Sequence, residues 1–349
     1  MSRAIRPHFP DQFRRRVARA FTLVELIVVI VIVALLLGLL IPAVQSVRST
    51  ARKMSCQSNM RQVGLAIHLY LDTNEMFPPA KCVYTYTKTG RRNRTIGHGL
   101  VPFILPYLEQ TTVYDSYSFG KDWQDDDNQV ARDVKISTLL CPESPPSRLC
   151  RFGPGRRAAH QEIVEYFCSD YASAESIASN AQNQLAAMGI FRTDWRGFLT
   201  PALASPSGGP VVHRTDPTAS DVLRILGNRG VTPVTISDGI SNTMMLFECT
   251  NRPKKFDVGK VPGDPNASPR EPILGSRWAD SESVIWIRDI CNEGQMFNCT
   301  NHRQVFSMHS GGSNFLYGDG TVRFHSDSMS PEAFVSRFTS NAGDIVDSL

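Results

Sequence analysis

The sequence lacks the short motifs that mark the common enzyme classes. It has no Gly-x-Ser-x-Gly elbow, no P-loop, no His-Glu-x-x-His pair and no dinucleotide-binding glycine loop. Without a nucleophile constellation, an anchored hydrolase is also disfavoured. We therefore predict that the chain is not an enzyme, and that it has no catalytic residues and no cofactor.

Beyond its first 20 residues the chain has almost no net charge. The formal net charge is +4, but six of the 37 Lys and Arg and one of the 33 Asp and Glu lie in residues 1–20. The remaining residues carry 31 basic and 32 acidic side chains, a net charge of −1. The sequence pI near 8.6 is therefore no argument for binding nucleic acid.

One long apolar run stands out, residues 21–41, which read FTLVELIVVIVIVALLLGLLI with the single charge Glu25. At about 1.5 Å per residue this run spans roughly 30 Å, the thickness of the hydrocarbon core of a bilayer. An Arg-rich leader ending at Ala20 precedes it. Positive residues stay cytoplasmic, so we expect one transmembrane helix with the rest of the chain outside.

Glu25 needs a partner, because a carboxylate inside a bilayer costs about 2.5–3.5 kcal/mol. A cut between Ala20 and Phe21 would create an α-amino group at Phe21, a cation that can neutralise it. The amine of the same chain or that of a neighbouring, axially shifted helix would serve. The second arrangement would set the register of an assembly.

These residues resemble the cleavage and methylation segment of type IV prepilins and type II secretion pseudopilins. The resemblance implies cleavage by prepilin peptidase after Ala20, N-methylation of Phe21 and Glu25 as the assembly carboxylate. Ala20 departs from the usual Gly before the cut. The implied partners are prepilin peptidase, the lipid bilayer and other pilin-like subunits or further copies of the chain. The implied location is the bacterial inner membrane, with the N-terminus cytoplasmic and the head periplasmic or extracellular.

The helix is predicted to continue from Ala43 to about Thr73, with a loosened turn at Gly38 and Pro42. Its apolar positions at 3.6-residue spacing form a stripe suited to packing on a sheet. The stripe comprises Cys56, Met60, Val63, Gly64, Ile67, Tyr70 and Leu71. Leu65 and Leu69 point to the opposite side, where either neighbouring helices in a filament or another part of the head would cover them.

The eight cysteines form no Cys-x-x-Cys pair, so we predict no metal site. An even count in an extracytoplasmic head favours disulfides over free thiols, and both remain open. The sequence does not choose among the connectivities. The candidate pairs are Cys141 with Cys150 and Cys291 with Cys299, which close short loops, or Cys56 with Cys141, which ties the helix to the head.

We predict an α+β fold, a pilin-like long helix packed on an antiparallel sheet head with long loops. The expected segments are a leader at 1–20, the helix at 21–75 and the head at 76–349, with a loop-rich insertion at 142–230. Strands are predicted over Val134–Cys141 and Thr243–Glu248, and a hairpin over Ser313–Phe324. An acidic segment at 122–127 is expected to be a solvated loop rather than a calcium site.

His309 is followed by nine residues and then Asp319-Gly320. Beside a prepilin segment, this His-x9-Asp-Gly pattern resembles an uncharacterised bacterial family named for association with prepilin processing. That resemblance brings no activity. We expect His309 to hydrogen-bond the turn backbone or Asp319 and so hold the loop, with a metal site or a catalytic pair as weaker readings.

Together these features predict a pilin-like or pseudopilin-like structural subunit anchored in the membrane. It would be processed by prepilin peptidase and assembled into a type II secretion or type IV pilus-like filament. The alternative is a membrane-anchored binding module that never polymerises, which the large head favours. The two differ in whether helices of neighbouring chains make contact.

Overall fold

A computed structural model describes most of the chain. The described residues are 22–86, 94–144, 149–152, 164–203, 222, 230–250, 252, 255–262, 277–292, 294–302 and 304–343. The chain divides into two compact units, Met1–Arg48 and Ser49–Leu349. The boundary falls inside the long N-terminal helix, so the second half of that helix belongs to the head unit.

The helices within the described residues are one long element and several short ones. They are α1 Leu23–Asn74, α2 Val101–Ile104, α3 Thr111–Asp115, α4 Gln129–Arg132, α5 Ser179–Ala187 and α6 Pro331–Phe338. Short 3-10 helices lie at Leu105–Leu108, Asp126–Asn128, Ser137–Leu139, Pro233–Thr235 and Val258–Lys260. The start of α6 follows from local chemistry, since the Ser330 hydroxyl caps the Ala333 N–H at 3.3 Å and Pro331 takes the first helical position.

Twelve strands are described, most of them short. They are β1 Lys81–Tyr86, β2 Arg94–Gly99, β3 Leu149–Phe152, β4 Val164–Phe167, β5 Tyr171–Ile177, β6 Ala202–Leu203, β7 Met244–Glu248, β8 Phe256–Asp257, β9 Val261–Pro262, β10 Ile285–Ile287, β11 Gly312–Tyr317 and β12 Val322–Ser326. The central sheet has the order β10-β5-β7-β11-β12. A second sheet has the order β2-β1-β6, and β3-β4 and β8-β9 form two-stranded ladders.

The predicted α+β class is confirmed, and the sheets are mixed. In the central sheet β5, β7, β11 and β12 pair antiparallel, while β10 adds parallel to β5. In the second sheet β6 pairs parallel with β1. Within 142–230, the range that the sequence favours as an insertion, β5 is a strand of the central sheet.

The central sheet is packed on both faces. Leu246 and Leu316 belong to the apolar cluster that contains the buried stripe of α1. Their chain neighbours Phe247 and Phe315 belong to a second cluster with α5 and α6. Alternate residues of a strand point to opposite faces, so β7 and β11 each serve both layers.

The predicted stripe of α1 is confirmed in its main part. Its buried residues are Cys56, Met60, Val63, Gly64, Ala66, Ile67 and Tyr70. Leu71 is only partly buried, while Leu65 and Leu69 are 60% and 40% exposed. The helix runs on through Pro42.

The prediction of a strand over Val134–Cys141 is wrong. This segment contains the 3-10 helix Ser137–Leu139 instead. The N–H of Leu139 donates to the Ile136 carbonyl at 3.1 Å, and that of Leu140 donates to Ser137 at 3.0 Å. These local hydrogen bonds take the donors that a strand would use in its ladder. The predicted strand at Thr243–Glu248 and the hairpin at Ser313–Phe324 are confirmed as β7 and as β11 with β12.

Strand β11 packs tightly against α1 at Gly64, and this contact generates a stability prediction. A Cβ at this position would lie 2.8 Å from the buried Cδ1 of Leu316. We expect Gly64→Val to lower the free energy of unfolding by about 1–3 kcal/mol, because the added methyls overpack this contact. The measurement is denaturant unfolding of the full chain in detergent.

The exposed neighbour provides the matched control. Leu65→Ala should change the unfolding free energy by less than about 0.5 kcal/mol, because this side chain contributes little to the core. A Gly64→Val chain as stable as the wild type would contradict the described approach of helix and sheet.

Candidate functional site

The first candidate site is the start of α1. The predicted cleavage residues Ala20 and Phe21 lie outside the described residues. Glu25 lies in the first turn, where its Oε2 accepts hydrogen bonds from the Thr22 N–H at 3.0 Å and the Thr22 hydroxyl at 2.8 Å. The Glu25 N–H donates back to Thr22 Oγ1 at 3.2 Å. This reciprocal pair is a capping box.

The capping box was missed by the sequence analysis, which considered only amines as partners of Glu25. The signal was present as Thr-x-x-Glu directly before an apolar run, which is the pattern of such a box. Within one chain, Glu25 therefore satisfies the helix N-terminus. Its role in an assembly stays a prediction.

Among the described residues, α1 is long and apolar enough to cross a membrane. The apolar window that meets this criterion is not buried by any other part of the described chain. A helix of this kind needs either lipid or neighbouring helices around it.

The second candidate site is a buried cluster in the head where α1 meets the loop after Leu139. A disulfide joins Cys56 of α1 to Cys141, across 85 residues of sequence. Closing a loop of this length stabilises the fold by about 4–5 kcal/mol in the chain-entropy estimate. Asn59 donates to the Leu140 carbonyl at 2.8 Å, which holds the same two segments together.

The other cysteines fall into three groups. A second disulfide joins Cys291 to Cys299, and Cys168 is also disulfide-bonded. Cys82 and Cys249 are buried free thiols, and burial raises the pKa of both. The alternative pairing of Cys141 with Cys150 is wrong, because Cys141 is bonded to Cys56; the side chain of Cys150 itself lies outside the described residues.

His309 is brought to this disulfide by the segment that leads into β11. Phe306 forms a parallel bridge with Cys249, just beyond β7. Its N–H donates to the Glu248 carbonyl at 2.9 Å, and its own carbonyl accepts from the Thr250 N–H at 2.9 Å. Three residues later, Nε2 of His309 lies 3.6 Å from Sγ of Cys141.

Glu248 completes the cluster from the last position of β7. Its Oε1 lies 3.3 Å from His309 Nε2 and accepts from the Asn314 side-chain amide at 3.1 Å. Its Oε2 accepts from the Asn314 N–H at 2.8 Å and from the Ser313 hydroxyl at 3.1 Å. Burial alone would raise the pKa of Glu248, but the contact with His309 and the hydrogen bonds from Asn314 outweigh it and lower this pKa from its usual value.

The geometry does not suit nucleophilic catalysis. In a relay, the acid contacts one imidazole nitrogen and the nucleophile contacts the other. Here Glu248 and Cys141 both approach Nε2 of His309. Cys141 is held in a disulfide, and all three side chains are buried. Ligand atoms of Cys56, Cys141, Glu248 and His309 instead converge within 4.8 Å of one another, an arrangement that can surround a metal ion.

The expectation that His309 bonds Asp319 is wrong. Strand β11 lies between them, and at about 3.3 Å per residue its two ends are far apart. Asp319 Oδ1 accepts from the N–H and the hydroxyl of Thr321, at 2.9 and 2.7 Å, inside the hairpin turn. Gly320 adopts φ +82°, a left-handed conformation that favours glycine. Asp319 and Gly320 therefore form the turn, while His309 serves the cluster at the other end of the strand.

The acidic segment is largely taken up by local structure. Asp122 accepts hydrogen bonds from the Gly97 and Gln124 N–H groups, both at 3.0 Å, and Asp125 caps the 3-10 helix after it. Trp123 between them is buried. The expectation of a solvated loop is thus wrong for Trp123, although Asp126 and Asp127 are exposed.

Comparison with known protein families gives two matches. The prokaryotic N-terminal methylation motif matches residues 15–41. A family described as a protein of unknown function (DUF1559) matches residues 45–332, more than half of the chain. The chain belongs to the DUF1559 family. No curated protein and no solved structure matches it.

The two matches give this DUF1559 protein a prepilin-like N-terminus and a membrane anchor. The methylation motif covers the apolar part of α1, which supports N-terminal processing and single-pass anchoring. The DUF1559 region, residues 45–332, comprises the second part of α1 and most of the head. Whether His-x9-Asp-Gly is a signature of the family stays a prediction.

The sequence singled out His309 through its spacing to Asp319, but it did not indicate Glu248 as the partner. Glu248 is the last residue of a predicted strand with the pattern TMMLFE, where four apolar residues precede it. A charged residue in line with a fully buried strand is a signal of a paired interior carboxylate. Its partner could not be read from the sequence.

The buried pair generates a prediction on stability and pH. We expect Glu248→Gln to lower the free energy of unfolding by about 1.5–3 kcal/mol at neutral pH, because the charged acceptor of the hydrogen bonds from Ser313 and Asn314 becomes a neutral amide. The pKa of Glu248 is lowered on folding, so the stability from its ionised form is present above pH 4.5 and is lost as pH falls further. The difference in unfolding free energy between wild type and Glu248→Gln should therefore become smaller below pH 4.5.

Glu332 offers the matched control for this experiment. Its side chain is 57% exposed, and it pairs with Arg192 at 2.5 Å. Glu332→Gln should cost less than about 1 kcal/mol at neutral pH. If the difference in unfolding free energy between wild type and Glu248→Gln stays constant down to pH 3, ionisation of Glu248 is not what stabilises the head.

Proposed function

We propose that this DUF1559 protein is a pilin-like structural subunit rather than an enzyme. Prepilin peptidase cleaves it between Ala20 and Phe21, and Phe21 becomes N-methylated. The mature helix then sits in the bacterial inner membrane with the head on the periplasmic or extracellular side. The observation that carries the proposal is the methylation motif placed on an apolar helix that nothing in the described chain covers.

Assembly into a type II secretion or type IV pilus-like filament is supported by the outer face of α1. Met54, Leu65 and Leu69 lie within about 60° of one another on the helix, opposite the buried stripe. Met54 and Leu65 are 63% and 60% exposed. A row of exposed apolar side chains suits lateral packing against the helix of another subunit. In such an assembly, Glu25 pairs with the Phe21 amine of a neighbour.

The second candidate function is a membrane-anchored binding module that does not polymerise. The size of the head favours it, since the DUF1559 region extends to residue 332. In this case Glu25 serves only as the helix cap and the anchor stays monomeric. Chemical crosslinking of membranes separates the two functions, because ladders through the helix require assembly and monomers require the binding module.

Processing is tested by mass spectrometry of the mature protein from the native membrane. We expect an N-terminal peptide that begins with methylated Phe21, because the segment matches the methylation motif. The same preparation from cells without prepilin peptidase should keep the leader. An N-terminus at Met1 or Ser2 in cells that have the peptidase would refute the proposal.

The role of Glu25 is tested by two variants that separate capping from assembly. Glu25→Ala removes the carboxylate, while Thr22→Ala removes most of the capping box and keeps the carboxylate. We expect Glu25→Ala to abolish helix-mediated crosslinks, because the Phe21 amine of the neighbour loses its counter-charge. Thr22→Ala should retain them.

The outcomes of this pair are distinct. If both variants lose the helix-mediated crosslinks equally, Glu25 acts through capping alone. If Glu25→Ala keeps the crosslinks, its charge does not pair with the amine of a neighbour. Processing is followed in both variants by mass spectrometry, so that a defect in cleavage is not mistaken for one in assembly.

A further inference from the structure

We propose that Cys56, Cys141, Glu248 and His309 form a zinc site whenever the two cysteines are not joined as a disulfide. The structure shows the oxidised form, in which the sulfurs are bonded. Before oxidation the same positions present two thiols, an imidazole and a carboxylate. These are the ligand types that bind Zn²⁺ in proteins, and four of them suit its tetrahedral geometry.

Two separations in the cluster match a tetrahedral zinc site. With bond lengths of about 2.0–2.3 Å, an imidazole nitrogen lies about 3.6 Å from a thiolate sulfur and about 3.3 Å from a carboxylate oxygen. Nε2 of His309 lies 3.6 Å from Sγ of Cys141 and 3.3 Å from Oε1 of Glu248. All four ligand atoms lie within 4.8 Å of one another. Ligands from four distant positions in the chain are thus gathered around one point, and only the two sulfurs must move apart when their bond is absent.

The surroundings orient the carboxylate as a metal ligand needs. The Asn314 N–H and the Ser313 hydroxyl hold Oε2 of Glu248, which turns Oε1 toward His309. Asn314 is itself fixed, because its Oδ1 accepts from the Gln57 amide of α1 at 3.0 Å. Such hydrogen bonds behind the ligands set their orientation and raise metal affinity.

The charges and protons of the proposed states balance. Zn²⁺ displaces one proton from each thiol, and two thiolates, one carboxylate, a neutral imidazole and the ion sum to −1. Lys53 interacts electrostatically with Glu248 and offsets this charge. In a chain that has not yet folded, an exchanging protein disulfide takes two electrons and two protons from the two thiols and becomes a dithiol, so that the new disulfide forms and no zinc site assembles.

Because the two sulfurs are buried, whether they bind zinc or form the disulfide is determined before the head has folded. Cys56 is 0% and Cys141 1% exposed, so neither an oxidant nor a chelator reaches the sulfurs in the folded head. A chain that folds with its thiols intact therefore binds zinc, and a chain that is oxidised first forms the disulfide. Whether zinc or a disulfide is present therefore depends on the redox conditions under which the head folded.

The test compares reduced and oxidised full chains in detergent. Each sample is unfolded, refolded with Zn²⁺ in the presence of a phosphine reductant or of a disulfide oxidant, and desalted. We expect one zinc per reduced chain at this cluster and none at it in the oxidised chain, measured by elemental analysis. Refolding with Co²⁺ should give the visible absorption of a tetrahedral thiolate site, including thiolate-to-metal charge transfer.

Variants assign the metal to these residues. Cys56→Ser with Cys141→Ser should lose the zinc, while Cys291→Ser with Cys299→Ser removes the Cys291–Cys299 disulfide and should keep the zinc. Ser313→Ala preserves all four ligands and should weaken zinc binding by about 10–100-fold.

The proposal fails if the reduced wild type refolds to the native circular dichroism spectrum without binding zinc. It also fails if zinc remains in the Cys56→Ser, Cys141→Ser chain. Should that double variant not refold, the cobalt spectrum of the wild type decides, because a spectrum without thiolate charge transfer excludes the cysteines as ligands.

Discussion

The ionised carboxylate of Glu248 is the group around which the head is arranged. An unpaired charge in this interior would be very costly, so each of its oxygens must be met by donors. Those donors come from the first residues of β11 and from His309 before it. The hydrogen bonds of Glu248 at the end of β7 therefore form only when β7 pairs with β11 and the loop before β11 takes its native conformation.

The same cluster fixes the second half of α1. The disulfide between Cys56 and Cys141 and the hydrogen bond from Gln57 to Asn314 both end at the residues around Glu248. Gly64 lies about two helical turns after Cys56, and its lack of a side chain lets the helix approach Leu316 of β11 closely. A covalent link, a polar contact and an apolar contact thus hold the same stretch of helix against the central sheet. This leaves its outer face, with Met54 and Leu65, exposed.

Local patterns in the sequence predicted local structure well. The stripe of α1 follows from 3.6-residue spacing, and the hairpin of β11 and β12 follows from Asp319-Gly320 between alternating apolar residues. Both are set by neighbours in the chain. The same approach failed at Val134–Cys141, where apolar residues of strand-like composition form a 3-10 helix whose hydrogen bonds stay within the segment. Composition does not decide between these outcomes when the segment is short.

The sequence by itself determined the membrane anchor and the α+β class, because length, charge order and periodicity within continuous stretches carry them, and its resemblance to prepilins identified the N-terminal segment. Only the tertiary structure decided the partners of His309 and the connectivity of Cys56. These contacts join residues that are 168 and 85 positions apart, and no local pattern records such a distance. The nine residues between His309 and Asp319 suggested a contact within the motif. A strand of six residues occupies that interval. Because its backbone is extended, His309 lies beside Glu248 at one end of the strand and Asp319 lies in the turn at the other end.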